Sequence, residues 1–259
     1  MKDEFHIDLN KHVIPFKKTG DILKKKLLNK FGREEGEKIW KNTISIYEGW
    51  CKDLPYIGGK ENFQAHSFYD SVFLFAYWEA LPVKESTEEF TDTVCNVFAG
   101  CDFDKELLRS GNYSDEVKEN LILNANHTKL LKCVLPVYKR IFKKINTKKK
   151  NGEWNNAWAL DFPEEQPEEG IRMRLVGCPV MDFAREHHYE ELMPAMCNPD
   201  YMMLRKLNVS LIRPEIVAKG SKYCDQSMVG DKSELSKKYE IVKDEKGFLY
   251  SRAKEKDNG

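Results

Sequence analysis

Near residue 150 the spacing of apolar residues changes from that of a helix to that of a strand, which limits the chain to a mixed architecture. Before the change, Leu23, Leu27 and Phe31, then Trp40, Ile44 and Tyr47, recur at helical intervals with polar residues between them. Leu54-Pro55-Tyr56-Ile57-Gly58-Gly59 interrupts this pattern. Residues 61–81 then read as a helix apolar enough on most sides to be central, stopped by Pro82. Further helices are expected between Ser86 and Ile145, one starting near Ser114 and one over residues 130–142, where Pro136 should kink or restart it. The basic run from Lys143 to Gly152 reads as a solvated linker rather than a phosphate-binding patch.

After that run the period is that of a strand. Trp154, Trp158, Leu160 and Phe162 alternate, as do Ile171, Met173 and Leu175, with residues 163–170 as the hairpin connection. A second strand pair is expected at 209–218 and 222–229, turning at Lys219-Gly220-Ser221. Between the pairs, residues 179–187 and 199–207 read as helices. The fold class is therefore α+β, a helical N-terminal half packed on a four-stranded, mainly antiparallel sheet with two inserted helices. Three regions are expected: 1–150 helical, 151–230 cysteine-containing α+β, and 231–259 a charged tail. The tail reads as holding one short strand, near Tyr239 to Val242 or Phe248 to Ser251, and as ending in disorder.

The charges narrow the function classes. Forty-two basic residues balance forty-two acidic ones, so no global field draws the chain toward nucleic acid or an anionic membrane. The first nine residues lack the apolar core of a secretory signal, and the stretch 68–81 is too short and too charged to span a bilayer. Seven cysteines without regular spacing fit reduced thiols, and a cytoplasmic protein with no nucleic-acid or membrane partner is expected. Cys51, Cys95, Cys101 and Cys133 read as small core residues.

The remaining three cysteines have chemical contexts. Cys178 follows a strand and precedes Pro179, a residue suited to the first helical position, so its thiol sits at a helix N-terminus, where the dipole and unpaired N–H groups favour the thiolate. Cys197-Asn198-Pro199-Asp200 repeats the arrangement. Cys224 lies in a strand beside Asp225, so the two side chains face opposite sides of the sheet. The spacings fit no zinc knuckle or CxxC pair. Buried packing is the plain alternative for each. His187 and His188 at a helix end read first as dipole partners, Asp182 as an acceptor near Cys178, and His66 and His127 as satisfied core histidines.

Taken together, Gly177-Cys178-Pro179, the segment from Glu191 through Cys197 to Asp200, Arg213 leading to Ala218-Lys219-Gly220, and Cys224-Asp225 resemble the C-terminal signature of the L-2-amino-thiazoline-4-carboxylic acid hydrolase family, over about residues 154–229. Pro214 and Ile216 stand where the family tends to have threonines, and Gln226 where it tends to have an aromatic residue. The resemblance implies hydrolysis of a small cyclic amidine: water adds to the carbon between sulfur and nitrogen, the C–S bond opens, and N-carbamoyl-L-cysteine forms. Cys178, Cys197, Asp200 and Cys224 are then the candidate catalytic residues. Cys178 would serve as nucleophile or Asp200 would activate water, while Arg213 and Asp225 are the candidate substrate-binding residues, with no cofactor and no metal. The competing reading is a non-enzymatic metal-binding or small-ligand-sensing domain built on the three cysteines.

Overall fold

A computed structural model describes residues 4–9, 11–62, 64–100, 128–168, 170–206 and 208–255. The expected helix start at Ser114, along with Cys101, His127, the helix end at Leu207 and the last residues of the tail, lies outside the described residues, as does the side chain of Cys133. The chain forms two compact units. Unit 1 comprises residues 1–101, 147–158 and 178–196, and unit 2 comprises 102–146, 159–177 and 197–259. The class is α+β, with a four-stranded antiparallel sheet.

Unit 1 is helical because its apolar residues recur at helical intervals. Helix α1 (Lys17–Phe31) buries Leu23 and Leu27, and α2 (Arg33–Cys51) buries Ile39, Trp40, Ile44 and Tyr47. Helix α3 (Ala65–Ala80) is buried on most sides, from Phe68 and Tyr69 through Val72, Phe73, Leu74 and Phe75 to Tyr77. At roughly 1.5–3 kcal/mol per fully buried large apolar side chain, this helix is the main source of the unit's stability. Asp70 is tolerated within it because its Oδ1 accepts the Phe16 N–H, at 2.9 Å, just before α1. Helix α4 (Thr87–Gly100) opens on a reciprocal cap: the Ser86 N–H donates to Glu89 Oε2 at 2.9 Å, and the Glu89 N–H to Ser86 Oγ at 3.3 Å.

Helix α5 (Thr128–Lys150) runs through Pro136 without a break and takes in most of the basic run expected to be a linker. Three lysines in the last turn of a helix lie where its dipole favours cations. Lys149 Nζ also donates to the Ala157 carbonyl at 2.7 Å, fastening the helix end to the turn that follows. That turn carries Trp154, 2 % exposed against Gly58, so its alternating apolar pattern reflects burial in unit 1 rather than a strand.

In unit 2, β1 (Ala159–Asp161) and β2 (Gly170–Val176) pair as a hairpin, as do β3 (Val209–Glu215) and β4 (Tyr223–Gly230), and the order is β1-β2-β4-β3. Gly170 has a φ of 150°, and a Cβ there would stand 2.2 Å from the Met228 carbonyl oxygen, so β2 meets β4 only with glycine at its first residue. The connection from β2 to β3 carries α6 (Pro179–Glu186) and α8 (Pro199–Lys206), the two expected helices, with the short α7 (Met193–Cys197) between them. After α9 (Glu234–Lys237), the tail forms two strands where one was expected. These are β5 (Tyr239–Lys243) and β6 (Leu249–Ala253), which pair with each other. No helix among the described residues is long and apolar enough to cross a membrane.

Candidate functional site

Unit 2 gathers three of the residues singled out from sequence around a fourth, the buried cation Arg213. Arg213 on β3 is 2 % exposed, a burial that requires its charge to be matched. Its Nη1 donates to Asp200 Oδ2 at 2.7 Å, its Nη2 donates to the Cys197 carbonyl at 2.8 Å, and its guanidinium lies 4.9 Å from the Tyr201 ring centre. Helix α8 makes this possible. Pro199 begins it, Asp200 occupies its first turn, and Tyr201 follows on the side facing β3. The Asp200 side chain keeps 45 % exposure yet is crowded by protein, and the lost solvation raises its pKa more than the Arg213 charge lowers it.

The thiols of Cys197 and Cys224 both lie within the electrostatic reach of Arg213. Cys224 Sγ accepts the Val217 N–H at 3.3 Å, from the 3-10 turn Val217–Lys219 that joins β3 to β4. Burial pushes the Cys224 thiol above its ordinary value, against the pull of the Val217 N–H and of Arg213, so it is protonated at neutral pH.

Asp225 faces the other side of the sheet, as strand alternation requires. It is 6 % exposed and accepts from Arg172 Nε at 3.0 Å and Nη2 at 2.6 Å, a two-point pair that also raises the Arg172 pKa. Both residues border a pocket of about 280 Å³ that Ser227, Pro214 and Tyr239 also line. Cys224 and Asp225 thus belong to different faces.

Cys178 lies in unit 1. It is the N-cap of α6, in extended conformation before Pro179, and its Sγ accepts the Met181 N–H at 3.4 Å. Asp182, one turn on, is ion-paired at 3.6 Å with Arg185. His187 packs among Trp50, Phe183 and Tyr189, and burial lowers its pKa, so at neutral pH it is an uncharged ring in an aromatic cluster rather than a dipole partner. His66 stacks on Phe16 with its Nδ1 buried and unpaired. Cys51 is buried, its thiol pushed up to about 12 by burial, and Cys95 is half-buried. Among the described residues no three His, Cys, Asp or Glu side chains are grouped to hold a metal ion.

The sequence reading did not single out Tyr201, Ser251, or Arg172. Arg172 had a signal, since a charge on an alternating strand directly opposite Ser227 and next to Asp225 invites a cross-strand pair. Ser251 had none.

Residues 114–227 match the family model described as L-2-amino-thiazoline-4-carboxylic acid hydrolase. The match begins well before the resembling segment that starts near residue 154. No curated protein and no solved structure matches the chain significantly.

Proposed function

We propose that this chain, whose residues 114–227 match the L-2-amino-thiazoline-4-carboxylic acid hydrolase family model, is a hydrolase that opens a small cyclic amidine of the thiazoline type. The observation that carries this reading is the gathering of Cys197, Asp200 and Cys224 around the buried Arg213. Asp200 has the properties of a general base: it is partly exposed, hydrogen-bonded to a fixed cation, and held above the ordinary carboxylate pKa by lost solvation. In the proposed reaction Asp200 takes a proton from water as the oxygen adds to the carbon between ring sulfur and nitrogen. The C–S bond then breaks, the sulfur leaves and is protonated, and the carbon remains as the urea carbonyl. Arg213 stabilises the charge of Asp200, and its planar fork is the group type suited to pairing with a substrate carboxylate. Asp225 and its pocket are assigned a binding role on the opposite face.

A second route is favoured by one specific observation, the N-cap position of Cys178 with the Met181 N–H on its sulfur. Here the thiolate adds to the same carbon, the ring sulfur leaves, and water then displaces Cys178 from the resulting isothiourea. Turnover of L-2-amino-thiazoline-4-carboxylate by Asp200→Asn and by Cys178→Ser, Cys197→Ser and Cys224→Ser separates the two. Loss of a general base costs about 10²- to 10⁴-fold. A drop of that size in Asp200→Asn with Cys178→Ser near wild type supports the first route, and the reverse pattern supports the second. Absence of turnover by the wild type on thiazoline and related cyclic amidines refutes the hydrolase reading.

A further inference from the structure

The C-terminal hairpin β5–β6 lies beyond the segment that matches the family, and it makes three separate contacts with the parts of unit 2 that build the Arg213 cluster. The first is on the strand of Arg213 itself. β3 is an edge strand, so its outward N–H and C=O groups need partners from elsewhere. Ser251 Oγ, on β6 and 2 % exposed, accepts the Arg213 N–H at 2.9 Å, donates to the Leu211 carbonyl at 3.3 Å, and lies 3.2 Å from the Tyr201 hydroxyl. One hydroxyl thus touches both the backbone around Arg213 and the ring beneath its guanidinium.

The second contact is beside Cys197. Asn198 is 5 % exposed, and its side chain pairs with the hairpin as a strand would: Nδ2 donates to the Gly247 carbonyl at 2.9 Å, and Oδ1 accepts the Leu249 N–H at 2.8 Å. It stands between the carbonyl that binds Arg213 and the carboxylate that binds it, so the hairpin sets the path of both ligands. The third is at the turn that holds Cys224. Lys219 Nζ pairs with Asp244 Oδ2 at 2.7 Å and sits over the Tyr250 ring at 3.7 Å, fixing the end of the 3-10 turn whose Val217 N–H reaches Cys224.

We propose that the hairpin of residues 239–253 is part of the site, and that Asn198, Ser251 and Lys219 are positioning residues that hold Arg213, Asp200 and the two thiols in register. The positioning stands on these contacts alone, and its consequence for turnover rests on the hydrolase reading. A hydrogen-bonded cluster of this kind is sensitive to displacements of about 1 Å, so losing a positioning contact lowers kcat more than it raises KM.

The test uses the full chain and the variants Ser251→Ala, Asn198→Ala, Ser251→Thr and Lys219→Met, with iodoacetamide labelling of each cysteine followed peptide by peptide under native conditions. Ser251→Ala and Asn198→Ala are expected to speed labelling of Cys197 and Cys224 at least fivefold and to leave Cys178 within twofold of wild type. Ser251→Thr, which keeps the hydroxyl, should restore the wild-type rates. Lys219→Met changes a side chain already 27 % exposed, which spares the core, and should speed Cys224 alone. Unchanged labelling of Cys197 and Cys224, or an equal acceleration of Cys178 and Cys51 that marks general loosening, overturns the inference. Turnover is measured on the same samples. If the labelling changes as stated while the wild type turns nothing over, the hydrolase reading fails and the positioning inference stands.

Discussion

Replacing Arg213 by methionine tests the organising role of the buried cation. Methionine keeps most of the side-chain length, so the loss is of interactions rather than of volume. A hydrogen bond to a charged group contributes about 1.5–3 kcal/mol, but the Asp200 end of this pair is 45 % exposed and rehydrates, which puts that contact near 1 kcal/mol. The Cys197 carbonyl, left without its donor at 2.8 Å, costs about 1–2 kcal/mol, and the lost ring contact with Tyr201 adds about 0.5–1 kcal/mol. The total is about 3 kcal/mol, which corresponds to about a hundredfold faster exchange of amides that open with the sheet. All five tryptophans, at positions 40, 50, 78, 154 and 158, belong to unit 1, so tryptophan fluorescence reports on that unit and hydrogen exchange with mass spectrometry of residues 209–230 is the assay for unit 2. Arg213→Lys reaches one of the two oxygen partners and should lose about half as much stability. Less than fivefold acceleration in Arg213→Met, or equal effects of Met and Lys, would refute the view that the guanidinium fork holds the cluster.

Three further predictions concern the scaffold. Burial lowers the pKa of His12, His66 and His187 from 6.5, so below about pH 6.5 the unfolded chain binds protons more readily than the folded one. Their contribution to unit 1 is full above that pH and is lost as pH falls through the lower folded values; the urea midpoint by tryptophan fluorescence should decline between about pH 7 and pH 5, less steeply in His187→Phe. Gly170→Ala drives a methyl to 2.2 Å from the Met228 carbonyl oxygen and should abolish protection of β2 and β4 amides in hydrogen exchange. His188 ends α6 at a φ of 61°, with the Tyr189 N–H bonded to the Ala184 carbonyl at 2.7 Å, the position where helices favour glycine. His188→Gly should therefore raise the stability of unit 1 by about 0.5–1 kcal/mol in urea titration.

Where local chemistry dictates the structure, the sequence was legible. Pro179 and Pro199 begin helices because proline lacks only an N–H that has no helical partner there. The alternation in β2 and β4 is visible because one face packs while the other carries Arg172, Arg174 and Asp225. The N-cap of Cys178 and the separation of Cys224 from Asp225 follow from the same local rules. Longer-range packing was not legible. Trp154 and Trp158 alternate in a turn because unit 1 buries them, and the basic run is helical because α5 extends into it. The tail looked like solvent-exposed chain, since its hairpin leaves Ile241 52 % exposed and is held to unit 2 through Asn198 and Ser251, about fifty residues apart in sequence.

The distribution of buried charge gives the clearest reason to look to Asp200. Five ion pairs in the described residues join a buried group to a more exposed partner. In four of them the carboxylate is the buried member: Glu85, with its side chain 2 % exposed, pairs with Lys26 at 2.7 Å and Lys30 at 3.8 Å, and Asp225, at 8 %, pairs with Arg172 at 2.6 Å and Arg174 at 3.8 Å. The fifth pair is inverted. Arg213 is the buried member and Asp200 the more exposed one, its side chain 45 % exposed and hydrogen-bonded on one oxygen. Under the proposed hydrolysis, a carboxylate that takes a proton from water is placed as Asp200 is, at the more exposed end of its ion pair.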